Sequence, residues 1–134
     1  MHYVSFPGSI QYFLSFRQIQ GQRLVAVYVL SSLQSADYHI FVHLEGDEEA
    51  GSAPGLWGQA DGRPVCWTYP AYDWRPGQTI ADQHAIPIKP DTPPGDYSIT
   101  VGMYLPETGA RLSLLDEVGN PVTDSVKLTT VSIR

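Results

Sequence analysis

The chain has 134 residues, 43% hydrophobic and 16% charged, and its 12 glycines and 11 prolines are scattered along its length. This composition argues against a disordered chain and against long helices, and the length suits one domain spanning residues 1–134. The net charge of −6 and the presence of only eight lysines and arginines argue against nucleic acid as a partner.

The sequence also limits the covalent and membrane chemistry of the chain. Cys66 is the sole cysteine, which excludes an internal disulfide and a CxxC metal site, and we expect a buried, inert thiol. No stretch approaches the roughly 18 to 20 apolar residues of a membrane span, and the N-terminus lacks the layout of a signal peptide. We therefore expect a soluble chain without direct membrane insertion.

The first half of the chain contains three predicted strands. Apolar and polar residues alternate over Ile10–Arg17, the pattern of a half-buried strand, and Gln20–Gln22 then turns the chain. Leu24–Leu30 is apolar on both faces, which predicts a central strand. Alternation resumes over Tyr38–Leu44, and we expect a hairpin to join this strand to Leu24–Leu30.

The second half adds further strands separated by Pro-Gly and Gly-rich turns. Thr79–Ile88 is extended, and Pro87 indicates an edge position or a bulge. Tyr97–Leu105 shows the clearest alternation in the chain. Ala110–Leu115 predicts a short strand, and in Val126–Ile133 the apolar positions shift from even to odd, which indicates a bulge. We count seven or eight strands and no helix.

So many one-sided strands are buried most economically in two packed antiparallel sheets. We therefore predict an all-β fold, a two-sheet antiparallel β-sandwich of the immunoglobulin-like type, with a galactose-binding-like jelly roll as the alternative. The run from Gly95 to Tyr97 is similar to a tyrosine corner, in which a Tyr at the start of a late strand bonds to upstream backbone. Ile99 stands where an immunoglobulin domain has its cysteine, so that disulfide is excluded.

Metal ligation is not expected. His39 and His43 share a strand face but lie roughly 13 Å apart at strand rise, too far for joint ligation of zinc, so we expect one exposed His and one bonded to a neighbour. The acidic run Asp47–Glu49 lacks the alternating pattern of a calcium loop, which indicates a solvated loop. We predict no metal and no cofactor.

Asp82 and His84 are the one candidate acid–base pair. They share a face of the Thr79–Ile88 strand, but no Ser or Cys nucleophile stands in a recognisable elbow near them. We favour a structural role in which both side chains close hydrogen bonds to loop backbone. A small hydrolase or metal-dependent enzyme using Asp82 and His84 is the alternative.

The loop-rich stretch from Gly51 to Pro76 holds all three tryptophans. Aromatic planes stack on sugar rings while polar neighbours bond hydroxyls, so a glycan platform is predicted from the aromatic and polar side chains of this stretch: Trp57, Gln59, Asp61, Trp67, Tyr69, Tyr72 and Trp74. The competing interpretation, which we favour, is that the rings plug one end of the core. Trp74 is then the expected core member and Trp57 the expected exposed one.

An ordered set of short motifs extends over nearly the whole chain: Gly21, Leu24–Tyr28, Tyr38–Leu44, Gln59–Asp61, Pro64, Tyr69–Pro70, Trp74–Gly77, Asp82–His84, Pro93–Tyr97, Val101–Tyr104 and Thr108–Leu112. As a set it resembles a bacterial β-sandwich module that forms the C-terminal extracytoplasmic domain of membrane glycosyltransferases similar to protein mannosyltransferases. The resemblance implies an extracytoplasmic accessory role, with a glycan or a membrane protein as partner and no catalytic residues. Val29, where that module often has Trp, and the acidic Glu45–Leu56 insert depart from the pattern.

We therefore predict a non-catalytic accessory or interaction module that binds carbohydrate weakly through its aromatic loops. Besides the hydrolase, a second alternative is a purely structural domain that forms homodimers through an exposed strand edge.

Overall fold

The fold is taken from a computed structural model that describes residues 2–4, 11–19, 22–30, 36–65, 67–75, 79–115, 118 and 120–134. Cys66 and the turns predicted at Gln20–Gly21 and Pro76–Gly77 lie outside the described residues.

The described residues form ten strands: β1 (His2–Val4), β2 (Gln11–Ile19), β3 (Gln22–Leu30), β4 (His39–Gly46), β5 (Gly55–Gln59), β6 (Thr79–Pro87), β7 (Gly95–Tyr104), β8 (Leu114–Leu115), β9 (Pro121–Thr123) and β10 (Val126–Ile133). The two helical segments among them are single 3-10 turns at Glu48–Ala50 and Ala71–Asp73. The chain is therefore all-β, as predicted. Within these residues no helix has the length and apolarity needed to cross a membrane.

The strands form two four-stranded antiparallel sheets and one small pair. The first sheet has the order β1-β2-β3-β6, the second has the order β10-β7-β4-β5, and β8 pairs with β9. β3 is a central strand, as its two apolar faces predicted, and β6, which ends at Pro87, is an edge strand, as Pro87 predicted. The last strand changes register between Lys127 and Thr129, which is the predicted bulge.

The hairpin predicted between β3 and β4 is wrong. β3 pairs with β2 and β6, whereas β4 pairs with β5 and β7. The register accounts for the pairing of β4 with β7. Ile40 lies opposite Met103 and Val42 lies opposite Val101, so both strands present their apolar side chains to the same face of the sheet. β1, β5 and β9 were not predicted, and the strand predicted over Ala110–Leu115 is limited to β8.

The buried core draws on both four-stranded sheets and on the loop between β5 and β6. Its members are Ile40, Val42, Leu44, Ala71, Trp74, Ile80, Ile86, Tyr97, Ile99, Val101, Met103, Leu114, Val126, Leu128 and Val131. Tyr97 is fully buried, and its hydroxyl donates a hydrogen bond to the carbonyl of Pro93 at 2.6 Å. This is the backbone contact that the tyrosine corner predicted.

The two sheets are also joined by backbone contacts along one side. The segment after β6 lies against the free edge of β5, where Ile88 forms a bridge with Gly58 and the amide of Lys89 donates to the carbonyl of Trp57 at 3.1 Å. The edges of β5 and β6 are therefore linked there.

Candidate functional site

The outer face of the second sheet carries a continuous row of rings. Because side chains alternate along β4, the core takes Ile40 and Val42 while the histidines and Phe41 project to the other face. The ring centroids of His39 and Trp67 lie 5.1 Å apart, and those of His39 and Tyr104 lie 5.7 Å apart. The row continues from Tyr104 to Phe41 at 6.3 Å and from Phe41 to His43 at 4.9 Å. We call these five residues the aromatic row.

Phe41 lies buried between Tyr104 and His43 in the aromatic row although it does not face the core. The guanidinium of Arg111 lies over its ring, 4.4 Å from the centroid, an arrangement that favours a cation–π contact. Gly102 is the residue opposite Phe41 on β7, and a Cβ there would stand only 2.1 Å from Cε2 of the ring. Position 102 must therefore be a glycine for the Phe41 ring to pack against the β7 backbone there.

Both histidines of β4 face carboxylates. His43 Nε2 lies 3.3 Å from an oxygen of Asp61, and His43 Nδ1 lies 3.5 Å from Glu45. His39 Nε2 lies 3.8 Å from Asp37. The expectation that one of the two would be exposed is wrong, because ring contacts and carboxylates cover both. Within the described residues, no group of three or more His, Cys, Asp and Glu side chains is placed to hold a metal ion.

Arg63 forms a two-pronged ion pair with Asp37. Its Nε and one terminal nitrogen donate to the two oxygens of Asp37 at 3.2 and 2.5 Å. The hydrogen bond from Arg63 holds the pKa of Asp37 below its ordinary value, and the same bond raises the pKa of Arg63. A smaller electrostatic effect of Tyr72 also raises the pKa of Arg63.

Asp82 and His84 form a buried pair that holds the neighbouring loop. Asp82 is 1% exposed and His84 is 7% exposed, and His84 Nε2 lies 2.5 Å from one oxygen of Asp82. The other oxygen of Asp82 accepts from the amide of Val65 at 2.7 Å, and His84 Nδ1 lies 2.7 Å from the carbonyl of Ala60. Since a carbonyl only accepts, Nδ1 of His84 is the donor in its contact with Ala60. The predicted role in closing loop backbone is confirmed.

The loop that Asp82 holds has an unusual backbone. Val65 and Trp67 have φ values of 55° and 68°, in the left-handed region that costs about 1–2 kcal/mol for a non-glycine residue and is rare for a β-branched one. The bond from the Val65 amide to Asp82 offsets part of that strain. Such strain is retained where the surrounding structure enforces it, often at a ligand site.

Beside this loop lies a cleft of about 220 Å³, which we call the flank cleft. It is lined by Ala60, Asp61, Gly62, Arg63, Trp67, Asp82, Gln83, His84 and Ala85. Trp67 is 59% exposed, and its indole lies across Gly62, where an added Cβ would stand 3.0 Å from the ring. The indole is therefore both accessible and fixed in place by Gly62 and His39.

Three of the predicted platform residues pack against the core instead. Trp74 is buried, as expected, and its Nε1 donates to the carbonyl of Tyr69 at 3.2 Å. Tyr69 is half-buried and packs on the core. Trp57 was the expected exposed tryptophan, but it is half-buried, with Nε1 bonded to the carbonyl of Ala53 at 3.0 Å. The core-plug interpretation therefore holds for these three rings.

The other four predicted residues are accessible, but they are not all in one place. Trp67 and Asp61 line the flank cleft, whereas Tyr72, which is 49% exposed, is not among its lining residues. Gln59 lines a separate apolar groove of about 410 Å³ between β5 and the segment after β6.

Sequence reasoning missed Asp37, Arg63 and Tyr104. The alternation along β4 was the available signal, because it placed the two histidines on an outer face where neighbouring polar side chains gather.

The acidic segment is a capped turn rather than part of a site. Asp47 begins the 3-10 turn and accepts from the amide of Glu49 at 2.9 Å, and Asp47–Glu49 is exposed. This agrees with the predicted solvated loop.

A scan of family models finds no match to this chain, and searches of curated proteins and of solved structures also find none.

Proposed function

We propose that the chain is a non-catalytic binding module that takes a saccharide in the flank cleft, with the face of Trp67 as its stacking surface. The observation that carries this proposal is the state of Trp67, which is more than half exposed and yet held against Gly62 and His39 by a strained loop. An exposed indole in a fixed orientation loses little conformational freedom when it binds a flat apolar partner.

The polar lining of the flank cleft suits sugar hydroxyls. Asp61 supplies acceptor oxygens, Arg63 supplies N–H donors, and the exposed Gln83 supplies both. These groups line the same cleft as the Trp67 indole, the combination of an apolar plane and a few polar groups that small-ligand sites use.

A non-catalytic role is supported by the hydrogen bonding of the Asp82–His84 pair. Both ring nitrogens of His84 and both oxygens of Asp82 are engaged within the protein. A hydrolase built on this pair stays an alternative hypothesis, as does a self-associating structural domain, and neither gains a specific contact among the described residues.

The finer architecture that we propose is an immunoglobulin-like sandwich of the two four-stranded sheets. The first sheet, β1-β2-β3-β6, contains the A-B-E order of that fold with β1 added beside β2, and the second sheet, β10-β7-β4-β5, has the G-F-C-C′ order. The corner at Tyr97 opens β7, the equivalent of strand F. The core shared by β6 with β4, β7 and β10 supports face-to-face packing.

We further propose that the module serves a membrane glycosyltransferase as an extracytoplasmic accessory domain. This part of the proposal depends on the motif resemblance alone, and saccharide binding is its first requirement.

A glycan array followed by calorimetric titration tests the saccharide site. We expect Trp67→Ala to abolish binding and Trp67→Phe to weaken it, because the stacking surface is removed or reduced. Val122→Ala, which shortens an exposed apolar side chain on β9, is the control and leaves binding unchanged. Absence of saccharide binding by the wild-type chain, or full binding by Trp67→Ala, refutes the proposal.

A further inference from the structure

A second cleft opens on the outer face of the second sheet, at the far end of β4 from Trp67. This face cleft has a volume of about 340 Å³ and is lined by His43, Glu45, Gly46, Gly55, Leu56 and Arg111. Leu56 is one of the exposed large apolar side chains of the chain and supplies a nonpolar wall.

The charged groups of the face cleft suit a neutral polyhydroxylated ligand. The carboxylate of Glu45 is 44% exposed and has only a 3.5 Å contact with His43 among its described ion pairs. Arg111 is 38% exposed, and one of its nitrogens lies 3.4 Å from Asp124, which leaves further N–H donors. A hydroxyl both donates and accepts, so it can bond both groups, whereas an ion of either sign is repelled by one of them.

The face cleft and the flank cleft are adjacent. Asp61 lines the flank cleft, His43 lines the face cleft, and the two side chains are in contact at 3.3 Å. The aromatic row connects the same two ends through Phe41. From His39, beside Trp67, to His43 the distance is roughly 13 Å at the rise of an extended strand, longer than a single pyranose ring.

From this continuity we infer that the ligand is an oligosaccharide, with one sugar on Trp67 in the flank cleft and a later sugar in the face cleft against Glu45 and Arg111. The inference rests on the proposed function. It adds the chain length of the ligand and a second subsite at His43, Glu45 and Arg111.

The test compares each sugar with its own oligomer by calorimetric titration of the full chain. The probes are glucose, galactose, mannose and N-acetylglucosamine, and tetrasaccharides of the same four sugars. We expect a tetrasaccharide to bind about tenfold or more tightly than its monosaccharide, because the second sugar binds as a tethered group. Glu45→Ala removes this gain, so that the tetrasaccharide and its monosaccharide bind about equally, whereas Trp67→Ala weakens both ligands.

Glu107→Ala is the matched control, since Glu107 is an exposed acid in the turn after β7, and it keeps the full gain. Equal affinity for a sugar and its tetrasaccharide, or a gain that survives in Glu45→Ala, overturns the second subsite while the Trp67 site stands. If none of the eight probes binds the wild-type chain, the proposed function fails and this inference fails with it.

Discussion

Replacement of Asp82 separates the roles of hydrogen bonding and charge in the loop that carries Trp67. Asp82→Ala leaves two groups without partners, the partly buried amide of Val65 and the buried Nε2 of His84. Each such group costs about 1–3 kcal/mol. We therefore expect Asp82→Ala to lower the free energy of unfolding by about 3 kcal/mol or more.

Asp82→Asn is expected to be far milder. The amide oxygen of Asn still accepts from the Val65 amide, and the NH₂ group of Asn donates to Nε2 of a neutral His84. Nδ1 of the same ring keeps its hydrogen bond to the carbonyl of Ala60. All three hydrogen bonds survive without an ionised pair, so the expected loss is below about 1 kcal/mol.

Urea unfolding followed by tryptophan fluorescence measures both variants. With an m-value of roughly 1–3 kcal/mol/M, a loss of about 3 kcal/mol moves the midpoint by roughly 1–3 M. Asp91→Ala, in an exposed turn, is the control and leaves the midpoint in place. A loss in Asp82→Asn as large as that in Asp82→Ala refutes the reasoning, because charge and not hydrogen bonding would then hold the loop.

Four further predictions concern the fold around the site. Gly102→Ala places a Cβ 2.1 Å from the Phe41 ring, and we expect a loss of about 2 kcal/mol or more by denaturant unfolding, with Phe41→Leu in the same chain recovering part of it. Tyr97→Phe removes the bond to the Pro93 carbonyl and is expected to cost about 1 kcal/mol; an unchanged midpoint contradicts this. The pKa of Asp37 is lowered from 3.8 by its hydrogen bond to Arg63, so its stabilising contribution is present above pH 3.8 and is lost as the pH falls through the lower folded value. We expect the free energy of unfolding to fall less steeply with decreasing pH in Arg63→Gln than in the wild-type chain. Equal slopes in the two proteins contradict the stabilising role of the ion pair. Burial raises the pKa of Tyr104 above 10.0, so stability falls above pH 10 as the unfolded chain ionises first, and Tyr104→Phe flattens this alkaline decline.

The sequence predicted the strands that carry a local apolar pattern. β7 and β10 were found from their apolar period, and the Tyr97 corner from the turn before it, because both signals are local. β5 was missed because Gly55 and Gly58 interrupt the alternation. The partner of β4 was predicted wrongly because β7 is distant along the chain, and a periodicity does not identify the strand against which it pairs.

The candidate site was predictable to a similar degree. The Asp82–His84 spacing along one strand placed both side chains on one face, and their loop-closing role followed from it. The exposure of Trp67 in place of Trp57 was not predictable, because it depends on the left-handed backbone at Val65 and Trp67 and on the space above Gly62.

The backbone link from Lys89 to Trp57 restricts how another chain is able to add to this protein. Along β5 the carbonyl of Trp57 is already bonded and Ile88 covers Gly58, so an incoming strand finds few vacant ladder positions on that side. The other end strands of the two sheets are β1, β6 and β10, and each has one hydrogen-bonded neighbour strand within the described topology. Strand addition by another chain is thereby directed away from the link between Lys89 and Trp57 and toward the edges of β1, β6 and β10.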